Sequence, residues 1–289
     1  MSRIAVTPLS DALGAEIAGV DLTQPLDRET VAAINRAWLD HLVIVIRGQT
    51  LSDDDQIRFA GYFGPVGDYQ RPDALRSRAM TARKRPVMFV SNIVENGEPI
   101  GALPDGEMWF HTDTGYAQNP HKATTLYALE LPTTGGNTIF SNQYAVYDAL
   151  PDRLRRALEG REAYNAYEFG TMIKTKDRYD APETRAAVHP VFRPHSETGR
   201  MTLYVNELMS EEIVGLPAAE SRALLDELFA LQRETRFLYE HVWRIGDLVM
   251  WDNRCTLHAR TDFPRDQRRL LRRVTVEDGT PATVGAGPA

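Results

Sequence analysis

The sequence is poor in cysteine and has no long apolar run. Cys255 is the single cysteine among 289 residues, so no internal disulfide can form, and such scarcity is typical of a reducing compartment. The longest apolar stretch, residues 42–46, has the length of a buried strand and falls far short of the roughly 20 residues that span a bilayer. Asp11 and Glu16 interrupt the first apolar residues, so no signal peptide is expected. These features predict a cytoplasmic protein that does not cross a membrane.

Positive charge is not in excess either. The chain has 33 Lys and Arg against 40 Asp and Glu, a net charge of −7, which gives no overall attraction to nucleic acid or to anionic membranes. The hydrophobic share of 43% and the charged share of 25% exclude an intrinsically disordered chain. Neither standard glycine-rich phosphate loop is present. We therefore expect a small-molecule partner, and no nucleic-acid or membrane partner.

The hydrophobic pattern predicts many short strands interrupted by a few helices. Helical spacing covers residues 27–41, 145–159 and 217–233, and another helix begins at Ser52. Strand-like segments are residues 86–93, 124–129, 138–141, 188–193, 201–206, 247–252 and 270–276, the fourth and fifth forming a hairpin. Strands and helices do not alternate regularly, which argues against a Rossmann fold and favours a mainly β jelly-roll barrel with helical insertions. We expect one domain over residues 1–277 and a flexible tail over 278–289.

Two histidines and one aspartate form a candidate metal site. The other five of the seven histidines are interpreted as structural: His41, His121, His189, His195 and His241. His111 differs because Asp113 follows two residues later, and side chains at that spacing share one face of a strand. His258 follows another predicted strand and is the candidate third ligand. Two histidines and a carboxylate make the facial triad that suits Fe(II) and leaves coordination positions open, although a His-x-Asp pair alone is more often structural.

A basic strand follows His258. Residues 268–273 read Arg-Arg-Leu-Leu-Arg-Arg, and alternation puts Arg269 and Arg273 on one face. If this strand pairs with the His258 strand, both guanidinium groups reach toward the metal. An unpaired buried charge is costly, so such groups need an anion, and a dicarboxylate chelating the metal would supply one. We expect Arg268 and Arg272, on the other face, to be solvated.

The motifs around these residues resemble those of a known family. They include Phe63-Gly64-Pro65, Phe110-His111-Thr112-Asp113, Gly135-Gly136-Asn137-Thr138, His189-Pro190, Leu203-Tyr204-Val205-Asn206 and Trp251-Asp252-Asn253-Arg254. Together they are similar, in type and order and over nearly the whole chain, to the taurine dioxygenase family of Fe(II)/2-oxoglutarate-dependent oxygenases. That family also contains the 2,4-dichlorophenoxyacetate-type enzymes.

The resemblance implies a double-stranded β-helix fold and a role for each matching residue. His111, Asp113 and His258 match the iron ligands. Arg269 matches the arginine that pairs with the distal carboxylate of 2-oxoglutarate, and Thr138 the threonine that hydrogen-bonds the same carboxylate. Arg273 matches an arginine that holds an anionic substrate. The implied reaction couples oxidative decarboxylation of 2-oxoglutarate, with O2 consumed and succinate and CO2 released, to hydroxylation of a small substrate. The family also implies a homo-oligomer, and the carboxylate of Asp113 argues against halogenation.

Two positions depart from the taurine pattern. Tyr69 replaces a sulfonate-binding histidine, and Glu107 replaces an asparagine four residues before the first iron-binding histidine. These replacements remove a hydrogen-bond donor and add an acidic side chain, and both changes disfavour binding of a sulfonate. Glu107 and Tyr69 are therefore candidate contacts for a different anionic or zwitterionic substrate. The alternative for Glu107 is a purely structural carboxylate. The alternative for the whole chain is a cupin-like metalloenzyme or metal-binding protein that does not use 2-oxoglutarate.

Overall fold

The computed structural model describes residues 4–67, 76–82, 86–103, 107–168 and 184–278. Within these ranges the protein is mainly β, as the sequence predicts. The helices are α1 (Arg28–His41), α2 (Asp53–Gly61), α3 (Arg78–Ala82), α4 (Gln143–Asp148), α5 (Asp152–Leu158) and α6 (Ala218–Gln232). The strands are β1 (Ala5–Pro8), β2 (Ala15–Ala18), β3 (Val43–Ile46), β4 (Met88–Ser91), β5 (Val94–Glu95), β6 (Glu98–Pro99), β7 (Met108–His111), β8 (His121–Glu130), β9 (Thr138–Asn142), β10 (Glu162–Glu168), β11 (Thr184–Pro190), β12 (Phe192–Pro194), β13 (Met201–Leu203), β14 (Ser210–Ile213), β15 (Leu238–His241), β16 (Leu248–Asp252), β17 (Thr256–Arg260) and β18 (Leu270–Glu277). No helix among these is long and apolar enough to cross a membrane.

The larger sheet has seven strands in the order β1-β2-β3-β16-β8-β18-β4. Neighbouring strands are antiparallel except β2 and β3, which are parallel. The short apolar strand β3 is buried at all four positions because its two faces are both covered. On one face Ile44 and Ile46 pack with Trp38 of α1 and Phe59 of α2, so these helices close the outer side of the sheet.

The smaller sheet has four strands in the order β15-β9-β17-β7. A separate three-stranded sheet, β11-β10-β14, packs with α4, α5 and α6 in a second apolar cluster that includes Leu154 and Leu225. The larger and smaller sheets line one cavity between them. Strands β8 and β18 of the larger sheet and β7, β9 and β17 of the smaller sheet contribute polar residues to it.

Two sequence predictions about local structure are wrong. The helix predicted over 145–159 is split at Leu150 and Pro151 into α4 and α5, because proline lacks an amide hydrogen and disfavours a helical residue before it. The predicted strand over 188–193 is also split. Its first part belongs to β11, which pairs with β10, and only β12 pairs with β13 across the turn.

The basic strand that contains Arg273, β18, does not pair with the His258 strand as the sequence analysis assumed. Strand β18 pairs with β8 and β4 of the larger sheet, whereas the His258 strand β17 pairs with β9 and β7. Arg269 and Arg273 therefore approach the histidines from the opposite sheet. Arg268 is exposed and pairs with Glu130, as expected. The expectation of a solvated Arg272 is wrong, since α2 covers that face of β18 and leaves Arg272 only 4% exposed. Tyr69 and residues 279–289 lie outside the described residues.

Candidate active site

His111, Asp113 and His258 meet at one point in the cavity. Strands β7 and β17 pair with His111 directly opposite His258, and the two imidazole centroids are 4.1 Å apart. Asp113 follows the end of β7 after one residue. One donor atom from each of the three side chains lies within 4.8 Å of the others. The structure thus brings together the three residues that the sequence analysis selected as ligands.

Both imidazoles are held in a form that can bind a cation. Nδ1 of His111 lies 2.8 Å from the carbonyl oxygen of Trp109, so it carries the proton and leaves Nε2 with a free lone pair. Burial lowers the pKa of His111, and burial together with His111 lowers the pKa of His258 well below its usual value. Neutral imidazoles with free lone pairs are the nitrogen ligands that Fe(II) accepts.

The carboxylate of Asp113 is fixed and ionised. Burial raises the pKa of Asp113, but the Arg273 guanidinium and the hydrogen bond from Thr124 oppose burial, and the net pKa is far below the usual range. Nη2 of Arg273 lies 3.0 Å from Oδ1, and the hydroxyl of Thr124 donates to Oδ2. Nδ2 of Asn253 in turn donates to Thr124 Oγ1 over 3.0 Å. An ionised carboxylate beside two neutral imidazoles fits a divalent iron ion and could hold it.

The cavity around this point measures about 430 Å³, which lies within the usual range for small-molecule sites. Much of its wall is apolar and includes Met80, Met88, Met108, Leu208 and Met209. The polar side chains of the wall come from both sheets, among them His111 and His258 of the smaller sheet and His121 and Arg273 of the larger one. The cavity can therefore accept a ligand with an apolar body and a polar head.

At one end of the cavity, Arg269 is buried without an acidic partner. Its side chain is 1% exposed, Nη2 donates to the carbonyl oxygen of Gly136 over 3.1 Å, and Nε and Nη1 have no hydrogen-bond partner in the described part of the chain. Burial and the nearby Arg260 lower the pKa of Arg269. A buried guanidinium with two nitrogens unsatisfied is costly, so this end of the cavity favours an anion.

Thr138 lines the same cavity, 4% exposed. Its Oγ1 accepts a hydrogen bond from Nε1 of Trp243 over 3.1 Å, so the hydroxyl proton is available to a ligand. Sequence reasoning missed Trp243 because nothing in the local pattern links it to Thr138, which lies more than 100 residues away.

Arg273 lies on β18 beside Asp113, with Thr275 on the same face. Tyr116 lines the cavity here and stacks on Tyr167, the ring centroids being 5.4 Å apart. Glu107 is exposed and does not line the cavity. His121, interpreted as structural from sequence, does line it.

A second group of candidate metal ligands is better explained as structural. His195, Asp252 and Cys255 bring donor atoms within 4.8 Å of one another. Both oxygens of Asp252 already accept hydrogen bonds from Arg254, and Oδ2 also lies 3.0 Å from Nε2 of His195. Cys255 is buried in the turn before β17, and burial raises its pKa well above the usual value, so its thiol is protonated.

Comparison with known proteins agrees with this geometry. Residues 5–275 match the family described as "Taurine catabolism dioxygenase TauD, TfdA family". The alpha-ketoglutarate-dependent 2,4-dichlorophenoxyacetate dioxygenase of Cupriavidus pinatubonensis is 35% identical over 95% of this chain and 98% of its own length. Pentalenolactone F synthase of Streptomyces avermitilis is 34% identical over 94% of this chain and 93% of its own. The crystal structure of AAD-2 in complex with Mn(II) and N-oxalylglycine superposes with a TM-score of 0.80 at 27% identity, covering 97% of this chain and 99% of that one. The chain belongs to the TauD/TfdA family of dioxygenases and is an oxidoreductase of the alpha-ketoglutarate-dependent class.

Proposed function

We propose that this protein hydroxylates a small organic anion with an apolar body, using Fe(II), O2 and 2-oxoglutarate (alpha-ketoglutarate) and releasing succinate and CO2. The observation that carries the proposal is that two arginines, Arg269 immediately before β18 and Arg273 within it, line the same cavity as the His111, Asp113 and His258 cluster. The cavity wall thus offers two cationic groups to two anionic ligands. The iron, held by the three clustered side chains, would supply 2-oxoglutarate chelation and O2 activation.

Arg269 and Thr138 would bind the distal carboxylate of 2-oxoglutarate. Two guanidinium nitrogens of Arg269 are unsatisfied in the described chain, and the Thr138 hydroxyl is oriented by Trp243. A carboxylate accepting from both would satisfy these donors in the charge-assisted geometry that guanidinium groups favour. This requirement for a second carboxylate disfavours a cupin-like enzyme that does not use 2-oxoglutarate.

Arg273 would bind the head group of the primary substrate. The apolar wall near Met108 and Met209 suits a hydrophobic body that taurine lacks. The relative from Cupriavidus acts on 2,4-dichlorophenoxyacetate, a carboxylate with an aromatic body, and we infer a substrate of similar polarity. Contacts from Tyr69 and Glu107 stay predictions.

We further infer that the two sheets facing the cavity form the double-stranded β-helix, or jelly roll, that the sequence predicts, within a single catalytic domain over residues 1–277. A cytoplasmic location, a homo-oligomeric state and the absence of nucleic-acid partners also stay predictions.

The test is a succinate-release screen with Fe(II) and 2-oxoglutarate across aryloxy acids, alkyl sulfate esters, taurine and amino acids. We expect a sharp response to aryloxy acids or sulfate esters and little response to taurine. Asp113→Ala should abolish the coupled reaction, since it removes one of three iron ligands. Metal-dependent turnover that ignores 2-oxoglutarate, or coupled hydroxylation retained by Asp113→Ala, would refute the proposal.

A further inference from the structure

His121 is a buried polar side chain of the cavity wall that the proposed function does not use. His121, at the start of β8, is 4% exposed and lines the cavity. Neither Nδ1 nor Nε2 has a hydrogen-bond partner in the described part of the chain. The other fully buried histidines differ: His189 and His195, for example, each have at least one ring nitrogen in a hydrogen bond.

A hydrogen bond holds the backbone of His121 in place. The amide of His121 donates to Thr114 Oγ1 over 2.8 Å, which holds the start of the strand against the turn after Asp113. A buried imidazole that forms no hydrogen bond destabilises the protein, because it has lost its hydrogen bonds to water without replacement. Because the ring faces a cavity, a ligand in that cavity can satisfy it where the protein does not.

His121 and Arg273 line the same cavity, and His121 lies on the side of Arg273 that is away from Arg269. Strands β8 and β18 pair so that Glu130 is opposite Leu270, next to Arg269, while Leu126 is opposite Arg273 and His121 is opposite Glu277. The separation of Arg269 from Arg273 along β18 is about 13 Å, at the usual rise per residue. His121 is therefore at the far end of β8 from the proposed 2-oxoglutarate site, and Arg273 is close enough to influence its charge state.

A second polar group faces the same corner. A methyl group built on Gly67 would lie 2.8 Å from Oγ1 of Thr275, 3.2 Å from Cγ of Glu277 and 3.3 Å from Nε2 of His121, so these three side chains lie against the Gly67 backbone. The absence of a side chain at Gly67 keeps this corner open. His121, Thr275 and Arg273 together offer two hydrogen-bonding groups and one positive charge.

We propose that His121 is a specificity-determining residue that donates a hydrogen bond to the oxyanion head group, carboxylate or sulfate, of the primary substrate beside Arg273. This inference rests on the proposed function and adds to it the residue that recognises the head group. Burial, with Arg273, lowers the pKa of His121 to about 4, so the ring is neutral near pH 7 and acts as a hydrogen-bond donor. Arg273 supplies the charge.

The test measures binding without turnover. Anaerobic enzyme loaded with Fe(II) and 2-oxoglutarate is titrated calorimetrically with 2,4-dichlorophenoxyacetate, with octyl sulfate, and with 2,4-dichloroanisole, which keeps an aromatic body but has no anionic group. We expect His121→Leu to weaken binding of the preferred acid about tenfold, the usual contribution of one hydrogen bond, and to leave binding of the anisole unchanged. His121→Gln keeps a donor and should retain most of the affinity.

The dissociation constant for 2-oxoglutarate, measured on each variant, reports whether the cavity is intact, and it should not change. If His121→Leu binds the acid as tightly as the wild type, or loses acid and anisole affinity equally, the role of His121 is refuted while the proposed function stands. If the wild type binds neither acid, the proposed substrate class fails, and this inference with it. A preference for one acid distinguishes a carboxylate from a sulfate head group.

Discussion

Nε1 of Trp243 donates a hydrogen bond to Oγ1 of Thr138 over 3.1 Å, which orients the hydroxyl of a residue in the cavity wall. We predict that Trp243→Phe raises the KM for 2-oxoglutarate about three- to tenfold and changes kcat little, because the orienting hydrogen bond is worth about 1 kcal/mol. The measurement is initial-rate kinetics with 2-oxoglutarate as the varied substrate.

Trp38→Phe is the matched control. Trp38 is also buried, but its Nε1 has no hydrogen-bond partner in the described chain and it does not line the cavity. This variant should lose some thermal stability and keep the wild-type KM. Equal changes in KM for the two variants would mean that Trp243 acts only through packing.

Arg268 and Arg269 are adjacent in the sequence, but one is exposed and the other is buried. Arg269 is 1% exposed in the cavity wall, whereas Arg268 is mostly exposed and pairs with Glu130 over 2.7 Å. We predict that Arg269→Gln raises the dissociation constant of 2-oxoglutarate at least about 30-fold, since breaking a buried charge pair costs roughly 2–5 kcal/mol. Arg268→Gln should change it less than threefold, because an exposed ion pair contributes little. Titration calorimetry gives both values, and similar losses in the two variants would contradict the assignment.

The arginines of residues 268–273 show which features could be predicted from the sequence and which could not. Alternation along β18 correctly put Arg269 and Arg273 on one face, because the period of a strand does not depend on its partners. The same alternation could not tell that α2 covers the other face, where Arg272 donates to Asp53 and to Gln56. Sheet pairing and coverage depend on contacts between distant segments, and a local pattern does not contain them.

In the candidate site, too, local geometry could be predicted from the sequence, whereas contacts between distant segments could not. His111 and Asp113 are two residues apart, and their proximity follows from local geometry. His258 was joined to them by motif order, and its pairing opposite His111 required the structure. His121 and Trp243 have no motif at all, since their roles come from an unsatisfied ring and from a hydrogen bond across the sheet.

Gly136 adopts a φ of +67° and lies against Arg269. A methyl group there would be 3.1 Å from Nε of Arg269. We predict that Gly136→Ala lowers the free energy of unfolding by about 1–2 kcal/mol, the cost of a left-handed backbone with a side chain, and also weakens 2-oxoglutarate binding. Urea unfolding and calorimetry measure the two effects.

Gly199→Ala separates these two causes. Gly199 has a similar φ of +71°, and nothing lies within 4 Å of the position of its missing methyl group. It should show the same loss of stability with unchanged 2-oxoglutarate affinity. If both variants bind 2-oxoglutarate like the wild type, Gly136 is required only for its backbone conformation.

Asp252 should make the free energy of unfolding depend on pH. Burial raises its pKa, but Arg254 and His195 outweigh burial and hold the pKa well below the usual range. A carboxyl with a lowered folded-state pKa stabilises the protein above its unfolded value, near 3.9, and this contribution is lost as the pH falls toward the folded pKa. Asp252→Asn should therefore reduce the free energy of unfolding by about 3–5 kcal/mol at pH 7, because it leaves Arg254 buried with a weaker partner set.

The difference in free energy of unfolding between wild type and Asp252→Asn should become smaller as the pH falls below about 4. Below that pH the carboxyl begins to be protonated in the unfolded state, and its ion pair stabilises the fold less and less. Urea unfolding at pH 7, 5 and 3 measures it. Asp226→Asn, in an exposed pair with Arg222, should change stability by less than about 0.5 kcal/mol. A difference between wild type and Asp252→Asn that stays constant from pH 7 to pH 3 would mean that the Asp252 charge does not stabilise the fold. The turn before His258 would then be held by packing around Cys255 and the remaining hydrogen bonds alone.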